Sequence, residues 1–174
     1  MYREFFIILI DFLKNMRFKN FMFEIFMPLI FSIFGIYFLA KNITDLPMLD
    51  SIFSSISNTI LSTLSILVGF TLTLITVIIS TDKFAKIKEY KTQYKIDGRE
   101  ISLYKYLLIN LSYTAIIEFF LIASNILFIS FGHSFAQKTI YVCMFFNAFL
   151  CVHLLFISIR SFTDLYNIII GTSD

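Results

Sequence analysis

The sequence predicts an all-α fold: an integral membrane four-helix bundle with an N-terminal amphipathic in-plane helix. Three observations carry this. Hydrophobic residues make up 58% of the 174 residues and charged residues 15%, against about 45–50% and about 25% in ordinary soluble domains. Mean hydropathy is +0.83, and 23 Phe stand beside only two Pro. The apolar residues gather in four stretches, each at or above the roughly 20 residues that a helix needs to cross a hydrocarbon core about 30 Å thick. A soluble sphere of this size exposes too much surface to hide so many apolar side chains. That excludes a soluble enzyme, a disordered chain and a disulfide-stapled secreted domain. The net charge of +2 gives no footing for direct nucleic acid binding.

Taken in order, residues 1–20 form a cytoplasmic-face helix ahead of the four-span domain, 21–174. Phe5, Leu9, Phe12, Leu13 and Met16 are expected on its apolar face, with Glu4, Asp11, Lys14 and Asn15 opposite. The plainer alternative is a helix that merely extends the first span. A cleavable signal is not expected, because the apolar run 5–13 precedes the basic cluster instead of coming after it. The spans are placed at about 21–40, 52–80, 106–131 and 140–159. Each must be helical, since lipid offers no partner to an open backbone. Glu24 falls near the start of the first span beside Arg17 and Lys19, at headgroup level where a charge costs little.

Basic residues set the direction. Arg3, Lys14, Arg17, Lys19, seven Lys or Arg in the loop 81–105, and Arg160 put 12 of the 14 on one side, leaving Lys41 and Lys138 on the other. By the positive-inside rule both termini and the loop are cytoplasmic.

The second span carries the most informative pattern. Stepping by the helical repeat of 3.6 residues from Ser51 reaches Ser55, Asn58, Ser62, Ser65, Gly69, Thr73, Thr76 and Ser80, all small or polar. Small residues let helices approach closely and hydroxyls bond across the gap, so the stripe serves as an oligomer seam. Alternatively it lines a water-filled pore between copies.

Polar residues in the other spans are costly, and each is a functional hypothesis. Glu118 sits midway along the third span, with Asn110, Thr114 and Asn125 on roughly the same face. Asn147, and with it Ser65, falls near Glu118 in depth, which suggests an intramembrane polar network. The plain reading is a protonated Glu118 that holds helices in register; the sharper one is a cation path or proton-coupled switch. His133 and His153 lack ligand-spaced companions. Cys143 and Cys151, two turns apart on one helix, cannot pair within the chain.

In the loop, Asp97-Gly98 signals a turn that either closes a small hairpin or ends one helix before Ser102 caps the next. Lys91, Lys95 and Arg99 either meet anionic lipid or dock a cytosolic protein. Phosphate-loop, zinc and hydrolase motifs are missing, so no catalytic, cofactor-binding or metal residues are expected, and the protein reads as a non-enzyme.

The four-span plan with both termini inside, and the stretch 64–80 (LSILVGFTLTLITVIIS) with its basic continuation, resemble the small membrane subunits of bacterial anti-phage systems, of the Kiwa membrane subunit type. The resemblance implies a homo-oligomer in a bacterial inner membrane that senses phage attack at the envelope and works with a cytosolic partner acting on phage DNA; the family offers no catalytic residues. Three readings stand: a sensor or scaffold that docks a cytosolic effector, an ion-conducting pore or depolarising effector, and an immunity or accessory transporter subunit.

Overall fold

A computed structural model describes residues 2–16, 18–43, 45–80, 91–96 and 99–171. In chain order these form α1 (Tyr2–Asn15), α2 (Phe18–Asn42), α3 (Leu46–Ser80), a hairpin of β1 (Lys91–Ile96) and β2 (Arg99–Ser102), α4 (Leu103–Phe131), a 3-10 turn at Gly132–Ser134, and α5 (Gln137–Gly171). Helices α2, α3, α4 and α5 as far as Asp164 are long and apolar enough to cross a membrane. The chain is an all-α four-helix bundle with one small hairpin.

Local chemistry explains the boundaries. Helix α3 begins six residues earlier than expected, at Leu46, because Pro47 in its first turn lacks an N–H that would have no partner there anyway. Helix α4 begins at Leu103 because the Ser102 hydroxyl accepts the Lys105 N–H at 3.3 Å. Of the two alternatives for the loop the hairpin is the one found: β1 pairs antiparallel with β2 where a helix ending at Gly98 would have stood, and Ser102 caps α4; Asp97 and Gly98 themselves lie outside the described residues. Helix α5 continues well past residue 159.

The helices pack in the order α2, α5, α4, α3, with α1 laid against α4. Side chains interlock in three layers. At the end that holds the 3-10 turn, Leu49 and Phe53 of α3 meet Ile140 and Met144 of α5. In the middle, Leu64, Leu121 and Leu154 close together. At the α1 end, Phe12 packs with Tyr106, Leu107, Tyr113 and Ile157. The outside is apolar too: Phe31, Phe34, Phe70, Phe119, Phe120 and Phe146 are all exposed. So large an apolar exterior fits lipid as the surrounding medium.

Helix α1 divides its apolar residues between two surroundings. Ile8, Leu9, Phe12 and Met16 pack on the bundle, whereas Phe6, Ile10 and Leu13 are exposed. The apolar face expected from sequence is thus split, with Leu9, Phe12 and Met16 on the bundle and Leu13 exposed; the Phe5 side chain lies outside the described residues.

Candidate functional site: a buried polar interior and an outward polar seam

The interior site begins with a proline. Pro28 has no N–H, so the carbonyl of Glu24, four residues back, loses its helical partner. The chain winds as a π turn over Met22–Phe26, and His153 of α5 donates from Nδ1 to the stranded carbonyl. A carbonyl only accepts, so in the neutral ring Nε2 is left as the acceptor for the Tyr113 hydroxyl of α4, 2.9 Å away. Tyr113 in turn stacks on Phe12 of α1, with ring centroids 3.6 Å apart and planes 5° from parallel. One chain of contacts thus joins α2, α5, α4 and α1.

The Glu24 side chain extends the same site. Its Oε1 pairs with Nη1 of Arg160 at 2.6 Å, and Arg160 Nη2 donates to Asn110 Oδ1 at 3.2 Å. The guanidinium also lies 5.5 Å from the Phe12 ring centroid and 6.0 Å from that of Tyr106. Asp164, one turn further on, adds a second carboxylate beside Arg160. Glu24 thus has a partner within the bundle, which the sequence alone does not give it; Arg17 lies outside the described residues. Glu24 is 3% exposed, drawn inward because α5 delivers a cation that satisfies it.

Two further pairings lie deeper. The side-chain amides of Asn125 and Asn147 bond reciprocally at 3.1 and 2.9 Å. The Thr71 hydroxyl donates to Glu118 Oε1 at 3.0 Å. Asn110, Glu118, Asn125 and Asn147 are all buried, yet they do not form one network. The Leu64–Leu121–Leu154 layer separates Glu118 from the asparagine pair, and Asn110 belongs to Arg160. Ser65 joins none of these, since it is exposed and its hydroxyl bonds the Leu61 carbonyl on its own helix. Cys143 and Cys151 are free.

The outward seam is the α3 stripe. Ser51, Ser55, Asn58, Ser62, Ser65, Gly69, Thr73, Thr76 and Ser80 are all exposed in the single chain. The packed side of α3 is a different row, Phe53, Ser57, Leu64, Val68, Thr71 and Ile78, whose helical angle at 100° per residue is nearly opposite. Ser62, Ser65, Thr73, Thr76 and Ser80 each close on the carbonyl four residues back. Ser51, Ser55 and Asn58 differ: among the described residues their side chains have no hydrogen-bond partner, and Asn58 is the one amide of the three. The backbone places Lys91 and Lys95 on β1 and Arg99 at the start of β2, with Lys95 opposite Glu100.

The Glu24–Arg160–His153–Tyr113 hub is not among the site residues expected from sequence. Its signal is present, since Pro28 comes four residues after Glu24 and Arg160 two turns after His153. What joins them is tertiary. Comparison with protein-family models, curated proteins and solved structures finds no match.

Proposed function

We propose that the protein is a non-enzymatic, homo-oligomeric multi-pass protein of a bacterial inner membrane, with both termini and the basic hairpin loop in the cytoplasm. Copies join along the α3 stripe, and the hairpin with Lys91, Lys95 and Arg99 docks a cytosolic effector. The setting is the anti-phage defence that the resemblance implies, with the bundle as membrane sensor and scaffold. Helix α1 lies in the inner leaflet, bedded on the bundle through Phe12 and on lipid through Phe6, Ile10 and Leu13.

The observation that carries the self-association is Asn58. An unpaired amide facing hydrocarbon costs free energy that a second copy's stripe relieves. A bond of this kind in a membrane is worth about 0.6 kcal/mol on average, so one contact is too weak and a row through the membrane is what assembly requires. The test is the oligomeric state in detergent and in vesicles, by cross-linking and mass photometry. Wild type forms a discrete assembly, and Asn58→Leu with Ser65→Leu and Thr73→Leu gives monomers of unchanged helicity. A wild-type monomer under all conditions sinks the reading.

Docking is read separately. A cytosolic protein co-purifies with wild type and is lost when Lys91, Lys95 and Arg99 become Glu. The exposed hydroxyls also favour a second reading, in which copies enclose a wet path along the same stripe. Ion flux through vesicles holding the purified oligomer, abolished by the same leucine substitutions, supports that pore; a sealed vesicle ends it.

A further inference from the structure

The buried polar atoms that lack partners are unevenly distributed. Glu24 Oε2, Asn110 Nδ2, Glu118 Oε2, Arg160 Nε, Ser161 Oγ and Asp164 Oδ2 have no hydrogen-bond partner, and all lie on the α1 side of the Leu64–Leu121–Leu154 layer. On the far side the asparagines satisfy one another, leaving Ser57 Oγ alone among the described residues. Leaving such a group unmet costs about 1–3 kcal/mol, and six around one interior exceed what a fold tolerates dry. Donors and acceptors are both present, which suits water, a molecule that gives and takes hydrogen bonds.

There is also a way in. A narrow groove of about 30 Å³, in part open to the surroundings, lies between α3, α4 and α5 at this end, room for about one water at a time. Its lining is mostly apolar, Phe70 and Phe162 included, with Thr71, Thr114, Ser158 and Ser161 as its polar members. Ser161 is 3% exposed and contributes one of the unmet atoms. Thr71 faces both ways, lining the groove while donating to Glu118 Oε1. Along α4, Asn110, Thr114 and Glu118 succeed one another at four-residue intervals on the buried side, a turn of roughly 5–6 Å each.

We propose that the α1-end half of the bundle interior is an aqueous vestibule, entered through this groove, sealed by the Leu64–Leu121–Leu154 layer, with Glu118 as its terminal proton-binding group. When Glu118 releases its proton, a water of the vestibule carries it away as hydronium, and the carboxylate keeps the Thr71 O–H as donor. Uptake is the reverse. A proton fits better than a metal ion. Among the described residues no group of three or more His, Cys, Asp or Glu converges anywhere, and no charged side chain bears on Glu118. Its surroundings are accounted for element by element. Helix α3 brings Thr71. Helix α5 brings Cys151, packed on the leucine layer, and His153, held by Tyr113 and the Glu24 carbonyl. Nearer the α1 end stand Glu24 of α2 and Asp164 of α5, both beside Arg160.

Water access to this half is independent of self-association and of phage defence. The test uses full-length protein in sealed vesicles, with Cys143 and Cys151 replaced by Ala and single cysteines at Thr114, Ser161, Leu121 or Asn125. A charged, membrane-impermeant maleimide added on the α1 side labels Thr114→Cys and Ser161→Cys and spares Leu121→Cys and Asn125→Cys; all four react after denaturation. In parallel an apolar carbodiimide modifies Glu118, located by mass spectrometry. The yield falls as pH is raised on the α1 side, does not respond to pH on the other side, and vanishes in Glu118→Gln. Thr114→Cys and Ser161→Cys as inert as Leu121→Cys overturn the vestibule. Labelling of Leu121→Cys from the α1 side removes the seal. Protection of Glu118 by sodium at constant pH replaces the proton with a cation and overturns that assignment.

Discussion

Pro28 acts through what it lacks. A proline inside a helix strands one carbonyl, and here the stranded group becomes an attachment point for another helix, through His153 Nδ1. His153→Phe should therefore cost about 1–3 kcal/mol, the range for a buried group left without its partner. In a Pro28→Ala background the helix recovers its own N–H, so the same substitution should cost less. Unfolding of the four proteins by denaturing detergent gives the coupling directly, and equal costs in both backgrounds contradict it. The asparagine pair obeys the same asymmetry at smaller scale. Each bond is worth about 0.6 kcal/mol on average and at most about 1.7. Asn125→Leu leaves Asn147 buried and unmet, so it should destabilise more than Asn125→Leu combined with Asn147→Leu. Thermal unfolding in mild detergent ranks the two.

Helix α3 is one element with two opposed faces, and its glycine behaves differently from the one in the turn after α4. A side chain added at Gly69 would meet nothing within 4 Å, whereas at Gly132 the first added carbon would lie 3.3 Å from Cε1 of Phe53. Gly132→Leu should thus overpack the α3–α4 contact and destabilise the bundle by about 1–3 kcal/mol. Gly69→Leu should leave the unfolding midpoint of the single chain unchanged and weaken only association between copies. Unfolding and cross-linking measured on both variants separate the two outcomes. The helix periodicity of the stripe is legible in sequence because 3.6 residues per turn is a property of the backbone. Its direction is not, because small residues face a neighbouring helix of the same chain as readily as another copy. Ser65 shows the consequence: depth alone groups it with Glu118, and rotation about the helix axis puts it on the outside.

Across the whole molecule, the Glu24–Arg160 pair ties the start of the first long helix to the end of the last. Both groups are largely withdrawn from solvent, with side chains 5% and 15% exposed. Arg160→Met removes one partner and should cost about 3–5 kcal/mol, most of which Glu24→Gln added to it should recover. Because α1 stacks its Phe12 on Tyr113 and under Arg160, the single variant should also expose α1 to protease ahead of the bundle. Limited proteolysis reads that order, and loss of α1 together with the bundle counts against it.

The sequence by itself determined the medium, the number of long helices, their approximate limits and the regularity of the α3 face. Those come from local quantities: hydropathy summed over a window, residues per turn, and the cost of an open backbone in lipid. Only the tertiary structure decided that Glu24 turns inward to Arg160, that Glu118 meets Thr71 rather than Asn147, and that the stripe looks outward. Each of these depends on how helices distant along the chain are rotated about their own axes. No short window of residues encodes that angle, because it emerges from the fit of all the contacting faces at once.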